Sequence, residues 1–372
     1  MKTPYPVLHI IKSLGRGGAE TLLPETLGKH DREKYCFHYI YFLPWKHQMV
    51  AEIEAAGGKV TCLPAKNNLE ILRQVFRIVQ YVRQNGIRLI HCHLPWAGIV
   101  GRIAGKLAGV PVVYTEHNTW DKYHKLTFFV NKLSFSAQTK VIAVSDDVAQ
   151  SIKTHYSKKR PQVQVIKNGI NTEKYSHDVP VHRDIRRELN IPPGSIVIGT
   201  ACVFRHQKRL DTWLEIAKAV HDRCPYTRFI VAGDGLLRDV VHQKARDLQL
   251  LDVVHFPGLQ AEIRPYLDAM DVFMMSSAFE GLPIGLLEAM SMGCMPACTD
   301  AGGIPELVEK DRNGILVPVE QPMEMVDRLV AYLQQPAKIK RLGAAARQTV
   351  VRYFSLQKMV TELENVYDNL LT

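Results

Sequence analysis

Short apolar segments alternate with amphipathic segments along most of this chain of 372 residues. The segment 69–85, for example, carries apolar residues at helical spacing and ends at Gly86. A β–α–β succession of this kind predicts parallel sheets that are covered by helices on both faces. The expected strands are Val7–Ile11, Tyr35–Phe42, Val60–Leu63, Leu89–Cys92, Val112–Thr115, Val141–Val144, Ile196–Cys202, Arg228–Ala232, Val253–Phe256, Val272–Met275 and Met295–Cys298.

The alternation is interrupted between about residues 176 and 195, where charged residues, Pro180 and Pro192-Pro193-Gly194 occur. We therefore expect an α/β protein with two Rossmann-like, doubly wound domains, residues 1–180 and 181–372. The tail from Met323 onward is predicted to be helical, and its last helix is expected to pack back on the first domain. Doubly wound domains bind ligands at the carboxyl ends of their strands, so a cleft between the two domains is the expected site.

Charge and cysteine content narrow the function classes. Residues 1–185 contain 26 Lys and Arg against 14 Asp and Glu, so the basic excess lies in the first half. This excess suits nucleic acid, an anionic membrane or anionic small molecules, but no nucleic-acid-binding motif is recognisable. Seven cysteines without a C-x-x-C pair favour neither disulfides nor zinc. With no secretory leader and no apolar run of about 18 residues, a cytoplasmic protein is expected.

One segment places two carboxylates around a predicted helix start. Glu280 lies in the loop after the strand Val272–Met275, Pro283 suits the first turn of the following helix, and Glu288 lies within that helix. The free N–H groups at the helix start suit a phosphate group. One carboxylate can then accept hydrogen bonds from sugar hydroxyls and the other from a ribose. The alternative is one capping and one surface glutamate.

With these residues the chain resembles the retaining GT-B glycosyltransferases, especially glycosyltransferase family 4, whose signature has paired glutamates eight residues apart. The order of several short motifs over about 300 residues carries the resemblance. Those motifs are Gly17-Gly18-Ala19-Glu20, Thr115-Glu116-His117-Asn118, Val144-Ser145, Asn168-Gly169-Ile170-Asn171, Val231-Ala232-Gly233-Asp234-Gly235, Thr299-Asp300-Ala301-Gly302-Gly303-Ile304-Pro305-Glu306-Leu307-Val308 and Asn313-Gly314-Ile315-Leu316-Val317.

The resemblance implies a role for each matching residue. Glu280 would contact the donor sugar and Glu288 the ribose. The other residues implied in donor binding are Gly17 and Gly18 near the phosphates, Gly233 and Asp234 near the nucleotide, Leu259 in the base pocket, and Gly281, Leu282, Pro283 and Ile284 around the sugar and diphosphate. For the glycines, the alternative is that they only form turns.

Family members also carry an arginine and a lysine after the first strand of the second domain, where they neutralise the leaving diphosphate. Lys208 matches the lysine. The usual arginine position is occupied by Val203, and Arg205 lies two residues later in the same loop. Whether Arg205 replaces the family arginine is open at this stage.

His117 resembles the active-site histidine of the family, whose imidazole can donate a hydrogen bond to a sugar hydroxyl. The alternative is a structural histidine at a strand end. No metal site or required cofactor is expected, because no Asp-x-Asp motif occurs and cations with helix dipoles can supply the positive field. His91-Cys92-His93 is the one metal-like grouping, and it lies along a predicted strand.

The resemblance implies transfer of a hexose or N-acetylhexosamine from a nucleotide-diphosphate sugar, with retention of configuration, to a lipid-linked or polysaccharide acceptor. A UDP-sugar and GDP-mannose are both possible donors. The alternatives are a sugar-nucleotide epimerase of the same fold and an inactive nucleotide-sugar-binding protein.

The segment 120–140 combines cations with aromatic rings just after His117, and it includes Lys122, Lys125, Lys132, Lys140, Tyr123, Phe128, Phe129 and Phe135. Such a mixture suits peripheral binding to the inner face of an anionic membrane. The alternative is a helix that buries Phe128, Phe129 and Phe135 in the domain core while its lysines face water.

Overall fold

The computed structural model describes residues 3–371, which form two compact α/β units. The first unit contains the described residues up to Gly169 and those from Leu356 onward, and the second contains Ile170–Ser355. The sequence places the boundary at 180/181, whereas the structure assigns residues 170–180 to the second unit. The hydrogen bond from Tyr175 to Glu288 (2.7 Å) is one reason for this assignment.

Within the described residues of the first unit, seven parallel strands form one sheet, in the order β3-β2-β1-β4-β5-β6-β7. Strand β4 is buried along its whole length, as expected for a strand covered on both faces. The strand order reverses between β1 and β4, so their carboxyl ends mark the switch point at which such sheets bind ligands. The strands are β1 (Tyr5–Ile10), β2 (Tyr35–Tyr41), β3 (Lys59–Cys62), β4 (Leu89–His93), β5 (Val112–Glu116), β6 (Lys140–Ala143) and β7 (Gln162–Val165).

The helices that connect these strands are α1 (Gly18–Lys29), α2 (Val50–Ala55), α3 (Asn68–Arg73), α4 (Val75–Gln84), α5 (Pro95–Ala108), α6 (Lys125–Ser134) and α7 (Asp146–His155). The single helix expected over 69–85 is two helices, α3 and α4, that meet at Gln74. The Gln74 side chain donates to the carbonyl of Pro64 (2.9 Å), and Asn67 caps the start of α3. The break at Gln74 thus divides an apolar pattern that is continuous in sequence.

Six parallel strands form the sheet of the second unit, in the order β10-β9-β8-β11-β12-β13, with its switch point between β8 and β11. The strands are β8 (Ile196–Ala201), β9 (Thr227–Ala232), β10 (Val254–Gly258), β11 (Val272–Met275), β12 (Met295–Thr299) and β13 (Ile315–Val317). The helices are α8 (Ile185–Glu188), α9 (Leu210–Arg223), α10 (Arg238–Asp247), α11 (Arg264–Asp268), α12 (Ile284–Ser291), α13 (Glu324–Leu333) and α14 (Pro336–Tyr353).

The core of the second unit is centred on Trp213 of α9, which is fully buried beside Phe229 of β9. The indole N–H of Trp213 donates to the carbonyl of Met274 in β11 (2.9 Å), so its polar group is satisfied inside the core. This packing fixes α9, and with it the loop that precedes α9, against β11.

The last helix, α15 (Leu356–Leu371), belongs to the first unit. It packs on α1 and β4. Tyr367 is fully buried and bonds through its hydroxyl to Nδ1 of His91 (2.6 Å), and Glu364 bonds to Nδ1 of His30 (2.9 Å). Within residues 3–371, no helix has the length and apolar character needed to cross a membrane.

Candidate functional site

The loop between β11 and α12 is held from both sides by its neighbours in the second unit. The N–H of Ala278 donates to the carbonyl of Gln207 (2.8 Å), and the hydroxyl of Thr299 donates to the carbonyl of Ser277 (2.7 Å). The loop is therefore fixed to the segment after β8 and to the end of β12. Glu280 lies in this fixed loop, so its side chain has a defined position.

A second contact closes around the backbone of Glu280. Gly302 has a positive φ of 56°, and a Cβ at this position would lie 1.9 Å from the carbonyl oxygen of Glu280. Only glycine fits here, since a side chain would clash with backbone. Gly303 then donates its N–H to the carbonyl of Gly281 (2.9 Å). The motif around Gly302 and Gly303 thus supports the loop that carries Glu280.

Lys208 and Glu280 form a close ion pair, with 2.6 Å between Nζ and Oε1 and side-chain exposures of 18% and 6%. Ser277 donates a hydroxyl hydrogen bond to the same carboxylate oxygen (2.7 Å). Burial alone would lower the pKa of Lys208, but the charge of Glu280 and the hydrogen bond to it, together with Cys202, raise the pKa above its ordinary value. Lys208 is therefore a fixed, permanently charged ammonium group.

Arg205 precedes Lys208 in the loop after β8 and is exposed. Its positive charge acts to lower the pKa of Lys208, so the two cations lie close enough to interact. No carboxylate pairs with Arg205 within residues 3–371. Val203, at the position where the family usually has arginine, is half-buried. The structure thus provides two cations in one loop.

Helix α12 begins directly after the Glu280 loop. Its N-cap is Pro283, which makes no side-chain capping hydrogen bond. Backbone N–H groups at such a helix start carry partial positive charge and suit an anion such as phosphate. Gly281, Leu282, Pro283 and Ile284 are all buried around this helix start.

Glu288 lies within α12, as the sequence predicts, and is half-buried. Tyr175 donates its hydroxyl to Oε1 of Glu288 (2.7 Å), and the carbonyl of Tyr175 accepts from Ser291 of the same helix (2.7 Å). Tyr175 therefore orients the carboxylate. Sequence reasoning missed this residue, although it follows the Asn168-Gly169-Ile170-Asn171 motif by only four positions.

The turn after β9 packs tightly against the segment that follows β8. Gly233 has a φ of 131°, and a Cβ there would lie 1.9 Å from the carbonyl oxygen of Cys202. Asp234 accepts through its carbonyl from the N–H of Phe204 (2.9 Å) and through its side chain from Gly235 (2.7 Å). These contacts show a turn-forming role for both residues, and they also position the loop that carries Arg205 and Lys208.

Leu259 lies just after β10 and is exposed, with 54% of its surface accessible. The preceding residue, Gly258, accepts a hydrogen bond from the N–H of Gly233 (2.9 Å). Leu259 is therefore adjacent to the turn after β9, at the carboxyl edge of the sheet.

In the first unit, Gly17 is the N-cap of α1 and Gly18 its first residue. A Cβ at Gly17 would lie 2.4 Å from Oε2 of Glu20, whose other oxygen accepts from the hydroxyl of Ser13 (3.0 Å). Glu20 therefore places a carboxylate at this helix start, where negative charge is favourable. In the sequence, Glu20 ends the motif Gly17-Gly18-Ala19-Glu20 without a signal that indicates its role.

His117 follows β5 and belongs to a chain of three imidazoles. Its Nε2 lies 3.3 Å from Nδ1 of His93, and Nε2 of His93 lies 3.0 Å from Nδ1 of His9. Burial lowers the pKa of His117 to about 4, and burial with the nearby charge of His30 lowers the pKa of His9 to about 3. These rings are neutral near pH 7. Sequence reasoning did not identify His9, because one histidine in an apolar strand carries no signal by itself.

His9, His91 and His93 bring ring nitrogens within 4.8 Å of one another, a spacing that a transition metal could bridge. All of their ring nitrogens except Nε2 of His9 are already engaged, however. His91 bonds to Tyr367 (2.6 Å) and to Thr115 (2.7 Å), and both nitrogens of His93 bond to other histidines. A metal would have to break these bonds, so the donor set fits a hydrogen-bonded cluster better than a metal centre.

Glu116 fixes the segment that carries His117. This fully buried carboxylate accepts hydrogen bonds from the hydroxyl of Tyr114 (2.8 Å), the indole of Trp120 (2.9 Å) and the backbone N–H of His117 (3.1 Å). Burial raises the pKa of Glu116, while hydrogen bonds from Tyr123 and Tyr114 oppose that rise. Glu116 belongs to the motif Thr115-Glu116-His117-Asn118, and its buried hydrogen bonds show that its role there is structural.

Helix α6 presents an apolar stripe to solvent. Leu126, Phe129 and Leu133 share one helix face and are 59%, 64% and 73% exposed. The opposite face buries Asn131, which bonds to the guanidinium of Arg102 (2.9 Å).

The alternative of a helix that buries its three phenylalanines in the core holds only in part. Phe135 is buried and Phe128 is half-buried, but Phe129 is exposed, so the alternative is wrong for Phe129. The stripe lies beside Lys125 and Lys132, both exposed.

Two units built on parallel sheets, with a fixed cation–carboxylate pair beside an uncapped helix start, fit the class of nucleotide-sugar-dependent transferases. Two family comparisons agree with this class. Residues 17–174 match glycosyltransferase family 4, and residues 181–349 match the glycosyl transferases group 1. The chain belongs to the group 1 glycosyltransferases of family 4 and is a glycosyltransferase.

Two bacterial relatives are glycosyltransferases by name. The chain is 26% identical to the glycosyltransferase EpsF of Bacillus subtilis, over 97% of this chain and 96% of that protein. It is also 26% identical to the UDP-Gal:α-D-GlcNAc-diphosphoundecaprenol α-1,3-galactosyltransferase of Escherichia coli, over 80% of this chain and 79% of that enzyme.

Solved structures show the same GT-B fold. Anabaena HepE in complex with UDP and glucose matches with a TM-score of 0.86 at 22% identity, over 98% of this chain and 100% of HepE. The sucrose-phosphate synthase of Thermosynechococcus elongatus matches with a TM-score of 0.84 at 18% identity, over 98% of this chain and 99% of that enzyme.

Proposed function

We propose that this enzyme transfers a hexose or N-acetylhexosamine from a UDP-sugar, with retention of anomeric configuration, to a lipid-linked or polysaccharide acceptor. The observation that carries the proposal is the ion pair between Lys208 and Glu280, 2.6 Å apart at the start of α12. It joins a fixed cation, suited to a diphosphate, to a carboxylate suited to sugar hydroxyls.

In this proposal Lys208 and Arg205 neutralise the negative charge that develops on the leaving diphosphate. A preorganised cation stabilises such charge without reorganising during the reaction. The N–H groups of Gly281, Leu282 and Ile284 around the start of α12, where Pro283 offers none, add positive potential beside the phosphates.

Glu280 is proposed to contact the sugar and Glu288, oriented by Tyr175, to contact the ribose. Both roles suit carboxylates that are held by neighbouring donors. The remaining proposed donor contacts are Gly17, Gly18, Gly233, Asp234 and Leu259. For Gly233 and Asp234 the tight turn is sufficient by itself, so their contribution to binding is positional.

His117 is proposed to donate a hydrogen bond to a sugar hydroxyl near the reacting carbon. The neutral ring fits this role, since a neutral imidazole offers one N–H donor. We assign no protein nucleophile. Retention is proposed to arise from front-face attack by the acceptor, assisted by the leaving phosphate.

Support for a UDP-sugar comes from other proteins of similar sequence or fold. The E. coli relative is named for UDP-Gal, and HepE has been crystallised with UDP-glucose as well as with UDP. The same relative is named for a diphosphoundecaprenol-linked acceptor, which favours a lipid-linked acceptor for this chain as well. GDP-mannose is the alternative donor to test beside the UDP-sugars.

A lipid-linked acceptor agrees with the apolar stripe of α6. We propose that Leu126, Phe129 and Leu133 enter the interface of an anionic membrane while Lys125 and Lys132 contact its headgroups. Basic residues near an anionic surface contribute about 1 kcal/mol each. Attachment of this kind is peripheral and reversible.

The purified enzyme should be incubated with UDP-glucose, UDP-galactose, UDP-N-acetylglucosamine or GDP-mannose and a polyprenyl-diphosphate N-acetylglucosamine acceptor. We expect acceptor-dependent release of UDP and an α-linked product by NMR, with activity retained in excess EDTA. Turnover without any acceptor, with an epimerised donor, would support an epimerase instead. A β-linked product or strict dependence on a divalent cation would contradict the proposed mechanism.

A further inference from the structure

The imidazole chain His117–His93–His9 is continuous and ends inside the first unit. Both ring–ring contacts are within hydrogen-bond distance, at 3.3 and 3.0 Å. His9 and His93 are 3% and 6% exposed, and Nε2 of His9 is buried without a hydrogen-bond partner within residues 3–371. The chain therefore has one inner end, at His9, and one accessible end, at Nδ1 of His117.

Three neutral rings in a row allow only two proton arrangements. Each neutral imidazole has one N–H donor and one bare acceptor nitrogen, and each hydrogen bond needs one of each. In the outward arrangement, Nδ1–H of His9 donates to His93 and Nδ1–H of His93 donates to Nε2 of His117. In the inward arrangement, both bonds are reversed, and the N–H of His9 is left at the buried end.

The buried end favours the outward arrangement. A buried N–H donor without an acceptor is rarer and costlier than a bare acceptor nitrogen. His9 borders a cavity of about 30 Å³. Beside histidines, its walls are mainly aliphatic, including Leu22, Leu23 and Leu363. In the outward arrangement His9 presents only a bare nitrogen there.

The lowered basicity of the rings keeps the chain neutral. Burial, together with neighbouring histidines, holds the pKa of His93 well below its usual range, and the pKa values of His117 and His9 are lowered to about 4 and about 3. Protonation of one ring, which would remove the directional pattern, therefore does not occur near pH 7.

We propose that His9 and His93 are positioning residues that fix His117 as the Nδ1–H tautomer, so that Nδ1 of His117 donates to a hydroxyl of the bound sugar. Nε2 of His117 accepts the hydrogen bond from His93, and Nδ1 of His117 has no hydrogen-bond partner within residues 3–371. This inference rests on the proposed function only for the identity of the hydroxyl. The tautomer itself follows from contacts within the first unit.

Two-bond proton–nitrogen NMR correlations of histidine-labelled protein test the tautomer without any substrate. We expect wild-type His117 to be protonated at Nδ1, with assignment from a His117→Gln sample. His9→Met should reverse both bonds, because its thioether sulfur can only accept a hydrogen bond and would pair with Nε2–H of His93. His117 should then shift toward the Nε2–H form. His9→Asn should keep the wild-type pattern, since its amide nitrogen is a donor that lies the same number of bonds from Cα as Nδ1.

The matched control is His38→Met, because His38 is a buried histidine of the same sheet that bonds instead to Tyr81 (2.9 Å). It should leave the His117 tautomer unchanged. An Nε2–H tautomer in the wild type, or no change in His9→Met, would overturn the proposal.

Kinetics provide the second readout. In His9→Met, kcat should fall about tenfold while UDP affinity is unchanged, and His9→Asn should keep most of the wild-type kcat. A fall in UDP affinity equal to the fall in kcat would contradict a role through the sugar hydroxyl. If the tautomers are as predicted but the enzyme shows no transferase turnover, the proposed function is refuted and the assignment of the histidine tautomers still holds.

Discussion

At the scale of single residues, Lys208 depends on one partner. Its ammonium group is bonded to Glu280, and both side chains are largely removed from water. We expect Lys208→Ala to lower kcat about 10²–10³-fold, the range typical for loss of one preorganised charge-stabilising donor. Steady-state kinetics on folded protein would measure this effect. Lys218→Ala, which removes an exposed ion pair with Asp222, should retain wild-type kcat.

Loss of the lysine also leaves Glu280 without its cation, which costs stability. The double variant Lys208→Met/Glu280→Gln removes both charges and should recover thermal stability without recovering turnover. Wild-type kcat in a folded Lys208→Ala enzyme would rule out the diphosphate role.

Tyr175 is predicted to act on the nucleotide through Glu288. Removal of its hydroxyl in Tyr175→Phe takes away the 2.7 Å hydrogen bond to the carboxylate. UDP affinity should then fall about fivefold, the effect of one net hydrogen bond, and Glu288→Gln should weaken UDP as well. Calorimetric titration measures both. Tyr353→Phe, an exposed tyrosine of the same unit, is the control, and equal UDP affinity in all variants would refute the ribose assignment.

At the scale of an element, α6 has its apolar stripe on the solvent side and a polar contact on the buried side. Asn131 faces Arg102 inside the unit, so Leu126, Phe129 and Leu133 have no core to enter. The stripe is thus a consequence of how the helix is anchored.

If the stripe enters a membrane, Phe129→Ser with Leu133→Ser should abolish co-sedimentation with anionic vesicles while leaving thermal stability unchanged. Phe76→Ser is the matched control, because Phe76 is an even more exposed ring on α4 of the same unit. High salt should weaken wild-type binding through the lysines. Equal recovery of wild type and double variant in the supernatant would leave a water-soluble acceptor as the better hypothesis.

At the scale of the whole molecule, the buried histidines make the first unit sensitive to acid. Their folded-state pKa values, about 4 for His117 and about 3 for His9, lie below the unfolded value of 6.5. Below pH 6.5 the unfolded chain binds more protons, so the free energy of unfolding decreases as pH falls from 6.5 toward 4.

A fully buried histidine such as His9 contributes a slope of about 1.4 kcal/mol per pH unit in that range. Urea unfolding at pH 7.5, 6.0 and 5.0, followed with a probe in the first unit, should show this loss, and His9→Phe should reduce the slope. A pH-independent transition between 7.5 and 5.0 would mean that these histidines are not held neutral.

The sequence was sufficient for the elements that have their own pattern. The buried central strands, such as β4, and the placement of Glu280 and Glu288 around α12 could be predicted, because apolar runs and helix-start residues are local signals. The edge strands β7 and β13 were missed as strands. Each is only three or four residues long, and Gln162–Val165 alternates polar and apolar residues in a segment rich in charge.

Local sequence therefore determined the fold class, the start of α12 after β11, and the positions of Glu280 and Glu288 around that helix start. Tertiary structure alone decided which partners those residues have. Tyr175 reaches Glu288 from 113 positions away, and His9 reaches His93 from 84. The physical reason is that parallel sheets join strands distant in sequence at one edge, so contacts across that edge have no periodicity or spacing by which a sequence could report them.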